Sequence, residues 1–259
     1  GEAREGDLGS QLLKFNIRTV NVDVRRGGYE HDLQSEEVTS RLIALAQSKD
    51  CLGAMISVPC GTFSAARYNE GPAGVVRDLD HPEGIPDSDG QLPAAVVRSN
   101  LVTTNGMRIG RAAVSAGKAL IIESPVPRCL GSQHAMKGRE RHASMWAYPP
   151  VVELVNDFGL QYIDMDQCMC GATSRKTTRL MSSLGCIPEL RNQFASAYCD
   201  GKHAHEPIVG EPIDGVFRSA AAAAYPEDMN LRLAKVFAKS LSPESKTDDA
   251  PKGTSAAWY

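Results

Sequence analysis

Cys60 lies in a context that suits a reactive thiol. The stretch Leu52–Tyr68 reads LGAMISVPCGTFSAARY, in which an apolar run leads into Pro59 and Cys60 and then into Gly-Thr-Phe-Ser. A partly exposed cysteine at the carboxyl end of a strand, beside a turn that can approach a substrate, suits a nucleophile. A buried structural cysteine in a strand-to-loop turn produces the same pattern. The segment alone therefore leaves both interpretations open.

Glu123 ends a second apolar run. Lys118–Pro125 reads KALIIESP, and the segment Pro93–Ala116 that precedes it is typical of a long helix. A strand-helix-strand crossover would make the two strands neighbours and bring Glu123 beside Cys60. There a carboxyl group can protonate a ring nitrogen while a thiolate attacks the ring. A glutamate that only braces a loop or caps a helix is the alternative.

Two aspartates follow a third apolar run. Ile17–Leu33 reads IRTVNVDVRRGGYEHDL, with Asp23 at the end of a predicted strand and Asp32 after a Gly-Gly turn. An acidic residue at the end of the second strand is the usual partner of a ribose hydroxyl in dinucleotide-type folds. Surface aspartates with no such role are also frequent.

A cluster of cysteine and histidine lies further along the chain. The segment GCIPELRNQFASAYCDGKHAH carries Cys186, Cys199, His203 and His205, residue types that suit tetrahedral zinc. Its His-x-His spacing with distant cysteines differs from standard zinc fingers. A polar loop with two solvated histidines is the alternative to a structural zinc site.

A local basic run stands out in an otherwise acidic chain. Positive or ionisable groups recur between residues 128 and 142, namely Arg128, His134, Lys137, Arg139, Arg141 and His142. Such a run can follow the phosphates of a nucleic acid. A solvated surface loop is the more common explanation of such a run.

Composition sets the broad class. The chain has 259 residues, a net charge of −3 and seven cysteines. This length holds one sizeable core, and the net charge gives no global attraction to nucleic acid. An odd number of irregularly spaced cysteines argues against a disulfide framework and favours a reducing, intracellular compartment. No apolar run has the length of a membrane span, so we expect no membrane association.

The elements that must position these residues alternate between strand and helix patterns, which predicts an α/β protein. The predicted strands are Ile17–Asp23, Leu52–Val58, Lys118–Glu123, Leu160–Met165 and Thr178–Ser182. The predicted helices are Leu8–Phe15, Ser35–Ser48, Pro93–Ala116, Pro150–Phe158, Val216–Ala224 and Pro226–Leu241. The turn-rich stretch Asn69–Gln91 is long enough to predict a functional loop.

Three regions follow from this pattern. We expect an α/β domain over residues 1–182, a small and mostly helical C-terminal extension over residues 183–241, and a disordered tail over residues 242–259. A glycine-bearing turn around Gly6 enters the first helix without a preceding strand, so a first strand is expected upstream of Gly1.

Taken together, these segments resemble the cytosine-C5 methyltransferase family. VPCGTFS is similar to the family's Pro-Cys nucleophile loop, IESP to its Glu-Asn-Val segment, and DQCMCGATSRKTTRL to the arginine-bearing stretch before the last strand. With HAHEP and the Ala-rich segment ending in AYP, the order resembles methyltransferase-like reading frames of eukaryotic mobile elements and viruses. The chain departs from the family at Gly61, at Ser124–Pro125 and at Ser174, where Gln, Asn-Val and Gln are usual.

The resemblance implies a doubly wound, mostly parallel sheet of the Rossmann-like methyltransferase type, with an antiparallel last strand. It implies that Cys60 adds to C6 of cytosine, that Glu123 contacts N3 and the exocyclic amine, and that Arg175 supports the base or the catalytic loop. The implied S-adenosylmethionine site consists of Gly6, Asp23 for the ribose, Asp32 for the adenine amine, and Pro59. The implied nucleic-acid contacts are Ser64, Arg67, Arg139, Arg141 and Lys176.

The expected function is methyl transfer from S-adenosylmethionine to C5 of cytosine, in DNA rather than RNA. The target base would leave the duplex stack, and the Asn69–Gln91 loop would close over it. The alternative is a catalytically inactive protein that keeps the fold for binding or scaffolding, since a fold does not establish a function. A thiol hydrolase would instead need His81, His134 or His203 within reach of Cys60.

Overall fold

A four-stranded mixed sheet forms the centre of the protein. The structure, a computed structural model, describes residues 5–69, 74–208 and 223–240. The strands are β1 (Gly53–Ile56), β2 (Ala119–Pro125), β3 (Gln161–Asp166) and β4 (Thr177–Ser182), in the spatial order β1-β2-β4-β3. β1 and β2 are parallel, and β4 runs antiparallel to both β2 and β3. The prediction of an α/β protein with an antiparallel last strand is confirmed.

Seven α-helical segments lie within the described residues. They are α1 (Leu8–Leu13), α2 (Val24–Gly27), α3 (Glu36–Gln47), α4 (Ala94–Ser115), α5 (Pro149–Phe158), α6 (Ile187–Phe194) and α7 (Glu227–Ser240). Ser35 caps α3 by accepting a hydrogen bond from the Val38 amide, as its sequence suggests. The 22-residue helix α4 makes the crossover between β1 and β2.

Helices cover both faces of the sheet because the strand side chains alternate between them. Ile121 and Leu180 face a core completed by α1, α6 and α7, whereas Leu120, Ile122 and Met181 face a core completed by α4 and α5. Both cores contain fully buried side chains, each of which contributes about 1.5–3 kcal/mol relative to exposure. The backbones approach closely at Gly53, where an added Cβ would lie 2.8 Å from a backbone oxygen of β2.

The last strand is buried along its whole length and carries a buried charge. All six residues of β4 are buried, and Arg179 donates two hydrogen bonds of 2.8 and 2.9 Å to Asp164 on β3. The guanidinium also lies 3.7 Å from the ring centroid of Tyr162. Burial alone would raise the pKa of Asp164, but the bonds from Arg179 and His134 outweigh it and leave that pKa below its ordinary value. The charge is therefore stabilised inside the sheet.

The structure corrects part of the predicted fold. Of the three strand pairings, one is parallel and two are antiparallel, so the sheet is mixed rather than mostly parallel. The predicted strand Ile17–Asp23 has no ladder partner within the described ranges and is largely exposed, with Val20 at 67%. Its period-two pattern cannot produce a strand without a neighbour to satisfy its backbone groups. Helix α6, which begins with Pro188 in its first turn, was missed.

The C-terminal helices belong to the same core as the sheet. α6 and α7 bury Leu190, Phe194 and Leu233 against Ile121 of β2. The predicted boundary near residue 183 remains a prediction. The described residues do not include residues 1–4, most of the predicted helix Val216–Ala224, or residues 242–259, for which the sequence predicted a disordered tail.

Two broader expectations can be compared with the structure. All seven cysteines are free thiols. Within the described ranges, no helix combines the length and the apolar content that a membrane crossing requires.

Candidate functional site

Cys60 and Glu123 meet at the carboxyl edge of the parallel pair. Ile56 of β1 pairs with Ile122 of β2, so Ser57 comes level with Glu123, and Cys60 follows just beyond the strand. Cys60 is partly exposed and directly precedes a short 3-10 turn over Gly61–Phe63. Ligands of open α/β sheets gather at this edge. The crossover through α4 therefore positions the two residues as the sequence predicted.

A triangle of oxygen atoms holds the Glu123 carboxyl group. Ser57 Oγ donates to Glu123 Oε2 at 2.8 Å, and Tyr225 OH lies 2.7 Å from both Glu123 Oε2 and Ser57 Oγ. The hydroxyl groups of Ser57 and Tyr225 thus supply the two protons that these three oxygen atoms share. The Glu123 side chain is 4% exposed, so this support fixes its orientation in a nearly dry environment. Burial and the Glu123 charge raise the pKa of Tyr225 well above its ordinary value, which keeps the phenol a donor.

The other carboxylate oxygen of Glu123, Oε1, is available to accept a hydrogen bond from a ligand. Glu123 Oε1 is buried and has no hydrogen bond from the described residues. Its charged neighbour is Lys176, whose Nζ lies 3.6 Å away, beyond ordinary hydrogen-bond distance. Buried polar atoms without a hydrogen bond are rare and need an explanation. A ligand that donates a hydrogen bond would satisfy Oε1.

The charges of Lys176 and Glu123 also act on the pKa of the Cys60 thiol. Burial raises its pKa above the ordinary value, Lys176 opposes that rise, and Glu123 adds to it. Without a ligand, the thiol is therefore favoured over the thiolate at neutral pH. A bound group that neutralises Glu123 would leave Lys176 to favour the thiolate.

A buried arginine fastens the long loop to the turn after Cys60. Arg77 is 2% exposed, donates to Thr62 Oγ1 at 3.1 and 3.2 Å, and lies 3.9 Å from the Phe63 ring centroid. It also donates to Asn100 Oδ1 of α4 at 2.7 Å. Burial lowers the pKa of Arg77 to about 10. The described part of the predicted Asn69–Gln91 loop is thus braced against the turn after Cys60.

Four of the five predicted nucleic-acid contacts lie near Tyr68, and the fifth, Lys176, lies beside Glu123. Its hydroxyl donates to the Arg141 carbonyl at 2.9 Å, and the Arg139 guanidinium lies 5.9 Å from its ring centroid. Arg67 Nε donates to the Gly61 carbonyl at 2.8 Å. Arg141 pairs with Asp78 at 2.9 Å and with Asp80, so its charge is compensated within the protein. Ser64 caps the turn that carries Arg67 by accepting from the Ala66 amide.

Other members of the basic run have internal roles. His142 is buried, with Nε2 2.9 Å from the Phe63 carbonyl oxygen, and burial lowers its pKa. His134 Nε2 lies 3.0 Å from Asp164 Oδ2. The run is therefore partly a structural brace rather than a continuous phosphate-binding surface.

Of the two adjacent basic residues before β4, Lys176 is the one that reaches Glu123. Arg175, the predicted catalytic residue, instead donates to Asp166 Oδ2 at 3.2 Å and is exposed. Asp166 also accepts from the Thr177 hydroxyl and the Cys199 amide. Arg175 thus braces the end of β3.

The predicted cofactor acids have local partners. The Asp23 carboxylate accepts from the Arg25 amide at 2.9 Å, and Asp32 accepts from the Gln34 amide at 2.9 Å. Asp23 ends the segment Ile17–Asp23 and Asp32 follows it, and this segment pairs with no strand among the described residues. The Gly6 turn packs against Glu227 on α7, while Pro59 is exposed beside Cys60. The described residues therefore do not fit S-adenosylmethionine in the way that the resemblance implies.

A second constellation lies beyond β3 and β4. One ligand atom from each of Cys168, Cys199, His203 and His205 lies within 4.8 Å of all the others, so these side chains could hold a metal ion. The sequence placed Cys186 in this set, which is wrong. Cys186 is 1% exposed within the hydrophobic core that α6 and α7 complete.

Sequence reasoning missed three supporting residues. Ser57 could have been found from the parallel register, which places it level with Glu123. Cys168 stands in the DQCMC segment directly after β3, where a strand end brings it near distant loops. Tyr225 reaches Glu123 across 102 residues of sequence, and no local pattern signals that contact.

No protein-family profile, characterised protein or solved structure matches the chain. Function must therefore be inferred from the geometry of the site itself.

Proposed function

We propose that Cys60 and Glu123 form the base-addition site of a cytosine-C5 methyltransferase acting on DNA, with RNA as the less favoured substrate. The observation that carries the proposal is the buried Glu123 Oε1, which accepts no hydrogen bond from the described residues and lies at the sheet edge that also bears a thiol. The helix-covered faces and the antiparallel last strand support the doubly wound, Rossmann-like methyltransferase fold as part of the same proposal.

The chemistry needs both groups together. Cytosine C5 is a poor nucleophile until sulfur adds at C6. In the proposed step, the Cys60 thiol releases its proton to solvent and its sulfur bonds to C6. The electrons of the C5–C6 double bond move toward N3, and N3 takes up a solvent proton that Glu123 Oε1 passes to it. C5 then takes up an electrophile and loses its original hydrogen as a proton to solvent. The C6–S bond breaks to release the thiolate and restore the C5–C6 double bond, and N3 returns its proton to Glu123.

The surrounding residues orient this reaction. Ser57 and Tyr225 fix Oε2, so Oε1 is the oxygen presented to the base. Lys176 favours the thiolate once Glu123 is neutral. The target base must leave the duplex stack to reach the edge of the sheet. Arg67 and Arg139, near Tyr68, are the charged groups that we assign to the flanking phosphates.

S-adenosylmethionine is the methyl donor that the resemblance implies. Because the described residues around Asp23 and Asp32 do not fit this methyl donor, the proposed addition of Cys60 to the base uses only groups of this chain. The free thiols fit the reducing, intracellular compartment that we propose for the protein.

The test measures the addition step without a methyl donor. A solvent proton then serves as the electrophile at C5, so repeated addition and elimination releases tritium from DNA that carries [5-³H]cytosine. We expect the full chain to release tritium and Cys60→Ala to release none. Cys51→Ala, which removes another partly exposed thiol, should release tritium at the wild-type rate. No release from single- or double-stranded DNA or RNA at alkaline pH would refute the proposal.

A catalytically inactive binding protein is the second candidate. The raised pKa of Cys60 favours it, because a protonated thiol does not attack a ring. In that case the protein would bind nucleic acid with equal affinity in wild-type and Cys60→Ala forms, and it would release no tritium.

A further inference from the structure

Four potential metal ligands converge from two chain segments. Cys168 lies in the 3-10 turn after β3, whereas Cys199, His203 and His205 lie in the segment after α6. The Cys199 sulfur lies 3.8 Å from His203 Nε2 and 3.4 Å from His205 Nε2. All four ligand atoms lie within 4.8 Å of one another.

These separations resemble those around a tetrahedral ion. Zinc–sulfur bonds of about 2.3 Å and zinc–nitrogen bonds of about 2.0–2.1 Å place tetrahedral ligand atoms roughly 3.3–3.8 Å apart. The two sulfur–nitrogen separations, 3.8 and 3.4 Å, lie on either side of the roughly 3.5–3.6 Å expected for a tetrahedral sulfur–nitrogen pair. Two thiolates with two imidazoles are a combination typical of zinc. Four protein ligands also fill the coordination shell, as in structural rather than catalytic zinc sites.

Hydrogen bonds already hold the two segments in place. The Cys199 amide donates to the buried Asp166 carboxylate at 2.9 Å, and the Gly201 amide donates to the Cys199 sulfur at 3.3 Å. The Glu206 amide donates to the Thr173 carbonyl at 2.9 Å. Outer contacts of this kind orient metal ligands and stabilise a bound thiolate.

The geometry points to a structural zinc site formed by Cys168, Cys199, His203 and His205. Binding would release the protons of the two thiols to solvent. The ion would fasten the segment after α6 to the loop between β3 and β4. That loop carries Lys176, so zinc would also fix the approach of Lys176 to Glu123. The site itself does not depend on the proposed methyltransferase chemistry.

Metal analysis of the full chain tests the site. The protein is reconstituted with zinc under reducing conditions, dialysed against metal-free buffer and compared with three variants. We expect about one zinc per wild-type chain, as in a single structural site. Cys168→Ser should lose the ion, whereas Cys186→Ala should keep it, because Cys186 lies in the core outside the cluster. His203→Ala is the third variant.

His203 keeps the test decisive if Cys168→Ser fails to fold, because the His203 side chain is exposed in the structure. Competition with a chromogenic chelator should show zinc bound at least about 100-fold more weakly by His203→Ala, since changes to outer-shell partners alone cost about 10–100-fold. Cobalt substitution should give a tetrahedral spectrum with a thiolate charge-transfer band. A wild-type chain that retains no metal, or retention by both Cys168→Ser and His203→Ala, would overturn the assignment.

Discussion

Replacing Tyr225 by phenylalanine removes one hydroxyl from the oxygen triangle at Glu123. The phenol lies 2.7 Å from Glu123 Oε2, and Ser57 continues to donate to that oxygen at 2.8 Å. Glu123 is therefore not left without a partner, and the cost is that of one hydrogen bond to a charged group, about 1.5–3 kcal/mol. For a domain of this size, each kcal/mol lowers Tm by about 2–4 °C, which gives a decrease of about 3–12 °C.

Thermal unfolding followed by circular dichroism at neutral pH measures this effect. Tyr29→Phe is the matched control, because Tyr29 is 74% exposed and the same atom is removed from the surface. We expect the control to leave Tm unchanged. Equal Tm values for Tyr225→Phe and Tyr29→Phe would show that the phenol does not bond to Glu123, and the argument for a fixed Oε2 would fail.

Three further changes test the fold and the site. Asp164→Asn leaves a buried guanidinium uncompensated and should cost about 3–5 kcal/mol of unfolding free energy in denaturant titrations. The pKa of Asp164 is lowered in the folded protein, so the loss of unfolding free energy should be complete above about pH 4, near the pKa of an unfolded aspartate. The loss should shrink as the pH falls through the folded pKa. Gly53→Ala should lose about 1–3 kcal/mol by crowding β2, whereas Gly185→Ala, which meets open space, should not. Lys176→Met should shift the pH profile of tritium release to higher pH, because each unit by which the pKa of Cys60 rises lowers the thiolate fraction about tenfold. An unshifted profile would show that the charge of Lys176 does not act on Cys60.

The sequence predicted the part of the fold that local patterns determine. The runs ending near Cys60 and Glu123 are strands, and the long helix between them makes their pairing parallel. Once that crossover is recognised, the shared sheet edge follows from topology. The antiparallel last strand was likewise predictable, because the short connection from β3 to β4 cannot support a parallel crossover.

Local sequence patterns did not predict the contacts between distant segments. The segment Ile17–Asp23 has a strand-like pattern, but a strand also needs a neighbour, and no strand in the described part of the chain pairs with it. Cys168 and Cys186 look alike as small apolar thiols. Only the packing of α6 and α7 buries Cys186 in the core, while the turn after β3 brings Cys168 to the histidines. Tyr225 similarly reaches Glu123 only through the tertiary fold.

The central claim is that Cys60 adds covalently to cytosine, and trapping that adduct tests it most directly. In 5-azacytosine, a nitrogen replaces C5 and makes C6 more electrophilic, so the adduct accumulates without a methyl donor. After incubation of the full chain with an oligonucleotide that carries this base, peptide mass spectrometry locates the modified residue. The account predicts modification of Cys60, retained in Cys51→Ala and abolished in Cys60→Ala. No adduct, or an adduct that persists in Cys60→Ala, would contradict it.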